Sequence, residues 1–407
     1  MSLIGRLSHR ETSTLAKPTE WLSAMFGGAS KSGANVTQKT ALEHSTVYAC
    51  VKIVSESMAS LPLSVYRNMT KNGKTYKEKA LDHPLHFLLH DEPNDDMTSF
   101  TWIQVVLIVL LLRGNHYSQI VRSQAGRIIG IYPLDADRMT VVRLSSGKIG
   151  YIYRSESYGE VPLSAEEVLH FIGMSLDGII GMSAITYNRN TIGMGITLEE
   201  FGGTLFKNGA YPSGVVTGEG VREMSDLAFK RFKDSFNEQY HGADNVGKTI
   251  LLEDGFKFTP ITISNKDGQY LESRKFTKAE IAAMFGVPLH KINELDKATF
   301  SNIEQQSLEF VIDAIRPWAV RMEKEMKRKL FTPAEKKTYF VRFNLGALLR
   351  GDTESRYKAY ESAITKGCWM TRNEARELED LNPIEGLDDI IVPLNFTKEG
   401  QQNANQG

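Results

Sequence analysis

Cysteine and long apolar runs are both scarce in this 407-residue chain. Its two cysteines, Cys50 and Cys368, are too far apart to suggest a disulfide framework and indicate a reducing compartment. The most apolar stretch, "VVLIVLLL" at 105–112, is too short to span a bilayer and predicts a buried helix. The first residues lack the apolar core of a signal peptide, so we expect a member of a soluble assembly, with no membrane partner.

An excess of either charge is also missing. The chain has 48 lysines and arginines against 49 aspartates and glutamates, which gives a formal net charge of −1. This balance excludes a polycation that grips nucleic acid through overall charge, but it is compatible with a contact along which DNA slides. No local catalytic signature such as G-x-S-x-G occurs, so we predict neither catalytic residues nor a cofactor.

Hydrophobic periodicity predicts an α+β fold. Apolar residues at helical spacing predict helices at 41–58, 82–90, 99–112, 183–207, 222–240, 266–285, 302–331, 352–366 and 372–381. Alternating stretches predict strands at 61–66, between 116 and 172, and at 212–216, 250–263 and 339–345. Pro317 should kink the longest helix, and Thr371 with Glu374 forms a capping box at the start of the last one.

The stretch "GADNVGKT" at 242–249 matches the Walker A pattern of nucleotide-binding P-loops. A P-loop needs a strand before the loop and a helix after it, because the helix N-terminus helps to bind the phosphate. Here a predicted helix precedes the loop and a β-rich run, "TILLEDG", follows it. We therefore favour a solvated loop, and a nucleotide-dependent motor subunit built on Gly242–Thr249 is kept as an alternative.

A second pattern, "KAEIAAMFGVPLHKI" at 278–292, resembles a helix-turn-helix. Such a motif needs a second helix that reads base edges while its neighbours hold phosphates. The candidate second segment places Lys291 and Lys297 beside Glu294 and Asp296, which is poor electrostatics for binding a duplex. A helix that stops before a loop is the simpler interpretation, and a sequence-specific DNA-binding protein is the other alternative.

Three histidines, His83, His86 and His90, have a spacing that places two of them on one helical face, as metal ligands require. However, His83 falls at the expected cap position, and the neighbouring leucines already explain the helix. No cysteine pair accompanies the histidines, so we predict no metal site.

Seven separated stretches follow one another in a fixed order between residues 40 and 395: 47–66, 83–94, 205–216, 250–261, 271–292, 300–318 and 343–360. In this order they resemble the portal proteins of tailed bacteriophages, of the siphophage-type family. Any one stretch alone is a weak signal, whereas the ordered set is specific.

The resemblance implies a structural protein of the virion, without catalytic activity, that forms a ring at one capsid vertex. Portal rings usually contain twelve subunits, and DNA enters and leaves the capsid through their central channel. The implied partners are other copies of this chain, double-stranded DNA held without sequence preference, the terminase large subunit, head–tail adaptors, and the major capsid and scaffold proteins. Assembly would take place in the host cytoplasm.

The resemblance also implies a subunit with wing, stem, clip and crown parts. Laid over this chain, it gives an α+β wing at 41–187, a first stem helix at 188–209, a clip at 210–266, a second stem helix at 267–286, a tunnel loop at 287–301, a long kinked helix and wing strand at 302–351, and crown helices at 352–395. Outside the resemblance, composition alone predicts a flexible N-terminal arm at 1–40, rich in Ser, Thr, Gly and Lys, and a disordered Gln/Asn/Gly-rich tail at 396–407.

Two sets of site residues follow from this plan. The residues expected to face DNA from the tunnel loop are Lys291, Asn293, Lys297 and Thr299. The residues expected to dock the motor or adaptor on the clip are Lys248, Asn245 and Asp244. Because acidic neighbours balance the tunnel-loop lysines, we expect weak phosphate contacts that permit sliding.

Overall fold

The computed structural model describes residues 28–71, 74–207, 214–218, 225–240, 256–260, 266–294, 300–348, 353–379 and 381–391. The chain divides into two compact units, Met1–Phe343 and Asn344–Gly407. The predicted arm at 1–40 falls within the described residues only from 28 onward, and the predicted tail at 396–407 lies outside them. Among the described helices, none is both long and apolar enough to cross a bilayer.

The first unit begins with short strands and four helices. In chain order these are β1 (Gly28–Ala29), β2 (Asn35–Val36), α1 (Gln38–Glu43), α2 (Ser45–Ala59), β3 (Leu63–Lys71), β4 (Lys74–Lys79), α3 (Pro84–His90) and α4 (Ser99–Arg113). The predicted apolar face of α2 is confirmed, since its members are buried: Val47, Cys50, Val51, Val54 and Met58. His83 caps α3 as predicted, accepting a hydrogen bond from the Leu85 N–H.

From Val105 to Leu112, helix α4 is apolar on every side, as expected where other elements enclose a helix. Trp102 is fully buried on it, and its indole N–H donates to the Ser118 hydroxyl at 3.2 Å. The helix ends at Gly114, whose φ of 77° lies in the left-handed region that glycine adopts without steric cost. The prediction of a buried helix around 105–112 is confirmed.

The predicted region of short strands is also confirmed. It contains β5 (Asn115–Arg122), β6 (Ile128–Leu134), β7 (Met139–Arg143), β8 (Ile149–Ser155), β9 (Gly159–Leu163) and β10 (Val168–Ile172). These strands form two antiparallel sheets, in the orders β10-β5-β6 and β7-β8-β9. Tyr117 and Val168 of the first sheet pack against Met139, Tyr151 and Leu163 of the second.

The next segment contains α5 (Ala184–Tyr187), α6 (Arg189–Lys207), β11 (Gly214–Gly218), α7 (Asp226–Tyr240), β12 (Phe256–Pro260) and α8 (Lys266–Met284). Strands β11 and β12 pair antiparallel, with Gly214 opposite Pro260. Helix α7 begins at Asp226, later than the predicted residue 222. Strand β12 covers part of the strand region predicted at 250–263, of which 250–255 and 261–263 lie outside the described residues.

Helices α6 and α8 pack side by side and run antiparallel. The Tyr270 hydroxyl donates to the Leu198 carbonyl at 3.1 Å, and further along the pair Gly195 faces Ile281. Residues later in α6 therefore contact residues earlier in α8, which is the pattern of an antiparallel pair. The chain therefore leaves along α6 and returns along α8, and β11 and β12 pair between the two helices in sequence.

The long helix predicted at 302–331 is confirmed as one uninterrupted helical run from Phe300 to Leu330, but it is not α-helical throughout. It consists of α9 (Phe300–Glu309), a π-helical segment (Phe310–Ile315) and α10 (Arg316–Leu330). Pro317, expected to kink an α-helix, lies in the first turn of α10. Proline has no N–H for the carbonyl four residues back, and the wider π turn just before it accommodates this loss.

Strand β13 (Tyr339–Phe343) closes the first unit by pairing with β3, which also pairs with β4. The second unit contains α11 (Thr353–Glu361), a π-helical segment (Ser362–Lys366) and α12 (Arg372–Leu378). The predicted capping box of Thr371 and Glu374 is confirmed at the start of α12.

Candidate functional site

The predicted tunnel loop begins where α8 ends, and its first half has a defined conformation. Gly286 takes a φ of 67°, and the Val287 N–H donates to the Ala282 carbonyl at 2.9 Å, which closes the helix end. A short 3-10 turn, Leu289–Ile292, follows Pro288. Asn293 ends the turn with a φ of 60°, a left-handed conformation that asparagine tolerates better than most residues.

This geometry does not support the helix-turn-helix alternative. The segment that would be the recognition helix is the 3-10 turn Leu289–Ile292, and Asn293 terminates it after one turn. The next helix in the described chain, α9, starts at Phe300. A single turn offers no helical face to place along a major groove.

Two of the four predicted DNA-facing residues lie within the described residues, and both are exposed. The Lys291 ammonium lies 5.5 Å from the ring centroid of Phe310, within the range of a cation–π contact. Asn293 projects from the left-handed end of the turn. Lys297 and Thr299 lie outside the described residues. The structure thus brings Lys291 and Asn293 together on one turn.

The acidic partner expected for these lysines is engaged elsewhere. Glu294 accepts a hydrogen bond from the Lys278 ammonium on α8 at 2.7 Å, and the two side chains form a half-buried ion pair. The expectation that Glu294 balances Lys291 therefore needs correction. The two residues of the pair are sixteen positions apart, so local charge counting could not identify their contact.

Sequence reasoning also missed the residue that fastens the turn. His290 contacts two side chains of α9, with Nδ1 2.8 Å from Gln306 Oε1 and Nε2 3.3 Å from Ser307 Oγ. Ile292 is buried beneath the same turn. These contacts hold the Lys291 backbone against α9, so the exposed lysine projects from a fixed base. The available sequence signal was Ile292, one apolar residue between the polar Lys291 and Asn293, which indicates that one side of the turn is buried.

A cavity of about 250 Å³ lies between the start of α2 and the helices α6 and α8. His44 is buried at its wall, with Nε2 3.7 Å from Glu199, and the same carboxylate lies 3.8 Å from Arg274. Burial lowers the pKa of His44, although Glu199 opposes this effect. Charged side chains of both signs line the cavity, so it does not select for ions of one charge. None of the predicted site residues lines it.

Glycines of α6 permit the close approaches around this cavity. A Cβ added at Gly195 would lie 2.6 Å from His44 Nε2, and one at Gly202 would overlap the Tyr270 hydroxyl. Gly203, by contrast, faces open space. Close packing against His44 and α8 therefore explains Gly195 and Gly202.

The Walker A stretch and the predicted docking residues Lys248, Asn245 and Asp244 lie outside the described residues. The described element before this stretch is α7, which ends at Tyr240, two residues before the first glycine of the motif. A P-loop is entered from a strand. The helix at this place therefore does not favour the motor alternative.

The three histidines of the metal hypothesis each contact the backbone. Nδ1 of His83 accepts from the Leu85 N–H at 3.2 Å, and Nδ1 of His86 accepts from the Val65 N–H at 3.4 Å. His90 Nδ1 lies 3.1 Å from the Leu63 carbonyl oxygen. These contacts explain the histidines as structural residues around α3.

Comparison with known proteins places these features in a family. The family model for phage portal proteins matches residues 45–380. A probable portal protein of Streptomyces phage phiC31 is 33% identical, over 93% of this chain and 83% of its own length. The portal protein of Enterobacteria phage HK97 is 32% identical, over 92% of this chain and 88% of its own length.

Solved structures agree at the level of the fold. An HK97-family phage portal protein from Corynebacterium diphtheriae aligns with a TM-score of 0.57 and 16% identity, over 77% of this chain and 96% of its own. A chain in the neck of a native gene transfer agent particle, computed with C12 symmetry, aligns with a TM-score of 0.58 and 20% identity, over 85% of this chain and 92% of its own. The present chain belongs to the phage portal protein family.

Proposed function

We propose that this chain assembles into a closed ring, most simply of twelve copies, at one vertex of a phage capsid. The ring is the channel through which DNA is packaged and ejected, and its role is structural, without catalytic activity. The observation that carries the proposal is the match of residues 45–380 to the portal family. The C12 symmetry of the neck in the similar gene transfer agent particle supports the ring number.

The portal plan divides the chain into parts. We assign 41–187 to the wing, α6 and α8 to the two stem helices predicted at 188–209 and 267–286, and 352–395 to the crown. The antiparallel packing of α6 and α8 supports this assignment, because a stem made of one outgoing and one returning helix needs it. The clip is then 210–266, which begins and ends close to the paired strands β11 and β12.

The turn after α8 is the part that we assign to the channel wall. Lys291 and Asn293 are exposed on a base that His290 and Ile292 fasten, which suits a contact that must not collapse under a moving duplex. Lys297 and Thr299 belong to the same predicted loop. Contacts of this kind reach phosphates and carry no sequence information, so they permit DNA of any sequence to pass.

The remaining partners complete the assembly. We propose that the clip docks the terminase large subunit during packaging and a head–tail adaptor afterwards, with Lys248, Asn245 and Asp244 in that surface. The wing and the outer ring surface then contact the major capsid and scaffold proteins. Assembly takes place in the host cytoplasm, and the finished ring belongs to the virion.

The mass and symmetry of the purified full-length protein test this function. Native mass spectrometry and negative-stain electron microscopy should give a closed ring with a central hole. A stable monomer or dimer over a wide range of protein concentration would overturn the proposal. ATP turnover that disappears in Lys248→Ala would instead establish the motor alternative.

A further inference from the structure

A short loop before α5, Met174–Gly181, exposes apolar side chains. Met174 is 70% exposed, Leu176 83% and Ile180 49%. Single exposed apolar residues are ordinary on a protein surface, but several on one short loop form a patch. Such patches usually mark the place where a partner binds.

The loop is organised by its own polar groups. Asp177 Oδ1 accepts hydrogen bonds from the backbone N–H groups of Ile179 and Ile180, at 2.8 and 2.9 Å. The Ser175 hydroxyl donates to the Ile180 carbonyl at 2.6 Å and accepts from the Gly178 N–H at 3.0 Å. These hydrogen bonds lower the pKa of Asp177, which therefore stays ionised and keeps its acceptor role.

The base of the loop is also fixed to the body of the first unit. Asn115 on β5 accepts from the Gly181 N–H at 2.7 Å and donates to the Gly181 carbonyl at 2.8 Å. The Met182 N–H donates to the Met174 carbonyl at 2.6 Å, which closes the loop on itself. A surface that is already ordered loses little conformational entropy on binding, so the exposed side chains form a prepared contact.

The apolar surface continues beyond the loop along the next two helices. Tyr187 on α5 and Met194 and Phe201 on α6 follow at intervals of seven residues, and each is about half exposed or more. Met194 and Phe201 lie seven residues apart on α6 and therefore share one helical face, and the Phe201 ring also packs against Tyr270 of α8, with ring centroids 5.7 Å apart. Ile192, on the opposite face of α6, is fully buried.

We propose that the loop Met174–Gly181 inserts its apolar side chains into the neighbouring copy of this chain in the ring. In a closed ring every subunit presents one face to the next and a different face to the one before, so each interface joins two unlike surfaces. The loop and the apolar face of α5 and α6 supply one of these surfaces. This inference rests on the ring proposed above, and it names the segment that holds neighbouring subunits together.

The test compares two substitutions at equally exposed apolar residues. Leu176→Ser removes the 83% exposed leucine of the loop, and Tyr158→Ser removes a side chain that is 84% exposed in the turn between β8 and β9. Loss of one buried leucine should raise the subunit dissociation constant about tenfold to a hundredfold. Mass photometry over a dilution series should therefore show Leu176→Ser rings dissociating at higher concentration, while Tyr158→Ser rings match the wild type.

A cross-linking experiment gives an independent readout that does not depend on weakened assembly. In a Cys368→Ser background, Leu176→Cys is labelled with a benzophenone maleimide and illuminated in assembled rings. Covalent dimers of this chain are expected, and the same label at Tyr158→Cys should give none. Circular dichroism of each variant verifies that it is folded.

The possible outcomes separate the two proposals. Wild-type rings together with weakened Leu176→Ser rings and a cross-link at position 176 support the loop contact. Wild-type and Leu176→Ser rings of equal stability, without a cross-link between copies, overturn it and leave the ring itself standing. A wild-type protein that forms no ring overturns both proposals.

Discussion

A fall from about pH 7.5 to about pH 5 should destabilise the first unit through two buried histidines. His116 on β5 is completely buried, and its Nε2 lies 2.9 Å from the Ser118 hydroxyl. His170 on β10 has Nε2 3.1 Å from Asn115 Oδ1 and Nδ1 3.3 Å from the Tyr151 hydroxyl. Burial lowers the pKa of each histidine to about 3, from an ordinary value of 6.5.

The sign and size of the effect follow from proton linkage. The unfolded chain binds a proton at each histidine near pH 6.5, whereas the folded chain keeps both neutral until about pH 3. Their stabilising contribution is therefore complete above pH 6.5 and falls as the pH drops towards 3. At pH 5 the loss is about 2 kcal/mol for each histidine and about 4 kcal/mol for both.

Urea unfolding followed by tryptophan fluorescence, at one fixed protein concentration, measures this difference. His116→Asn keeps a polar group beside Ser118 but cannot titrate. The variant should lose about 2 kcal/mol of the stability difference between the two pH values, whatever its stability at the higher pH. His44 also has a pKa lowered by burial, so the wild type includes its contribution and the variant isolates that of His116. An unchanged pH dependence in His116→Asn would refute the reasoning.

Three further predictions concern the proposed stem, channel and clip. Gly195→Ala places a methyl group against the buried imidazole of His44 and should lower the free energy of unfolding by about 1–3 kcal/mol in the same urea assay. Gly203 faces open space on the same helix, so Gly203→Ala should raise the free energy of unfolding by up to about 1 kcal/mol. Lys291→Ala combined with Lys297→Ala should reduce DNA retention in packaged particles, and wild-type retention would contradict a DNA-facing role. Lys248→Glu should weaken terminase binding in a pull-down while rings still form; unchanged binding would remove Lys248 from the docking surface.

Sequence patterns predicted the helices and strands that depend on interactions between residues close together in the chain. Helix α4 is uninterruptedly apolar from Val105 to Leu112, so the burial of this part follows from composition alone. The capping box of Thr371 and Glu374 involves residues three positions apart, and the predicted strands between 116 and 172 are separated by visible turn residues. In each case the chemistry that forms the element lies within one stretch of sequence.

Features that depend on contacts between residues far apart in the chain were missed, because no single stretch of sequence contains both partners. The π-helical segment Phe310–Ile315 contains several buried side chains of the long helix, so its packing involves residues distant in sequence. Pro317 alone predicted only a kink. The contacts of His290 with α9 and of Glu294 with Lys278 join residues sixteen or seventeen positions apart. The exposure of Leu176 follows only from the fold, because it depends on the absence of any described residue packed over this side chain.

The pairing of Glu294 with Lys278 changes the electrostatic argument for the proposed channel. The sequence suggested a turn in which each lysine has an acidic neighbour, whereas the structure satisfies Glu294 on the α8 side and leaves the Lys291 ammonium on the exposed side, against the ring of Phe310. Each phosphate that a lysine neutralises adds affinity that decreases with salt. A ring would repeat Lys291 once per copy, so DNA retention should fall as the salt concentration rises and should not depend on base sequence. A conduit needs this combination, because a contact that held particular bases would stop the strand at those bases.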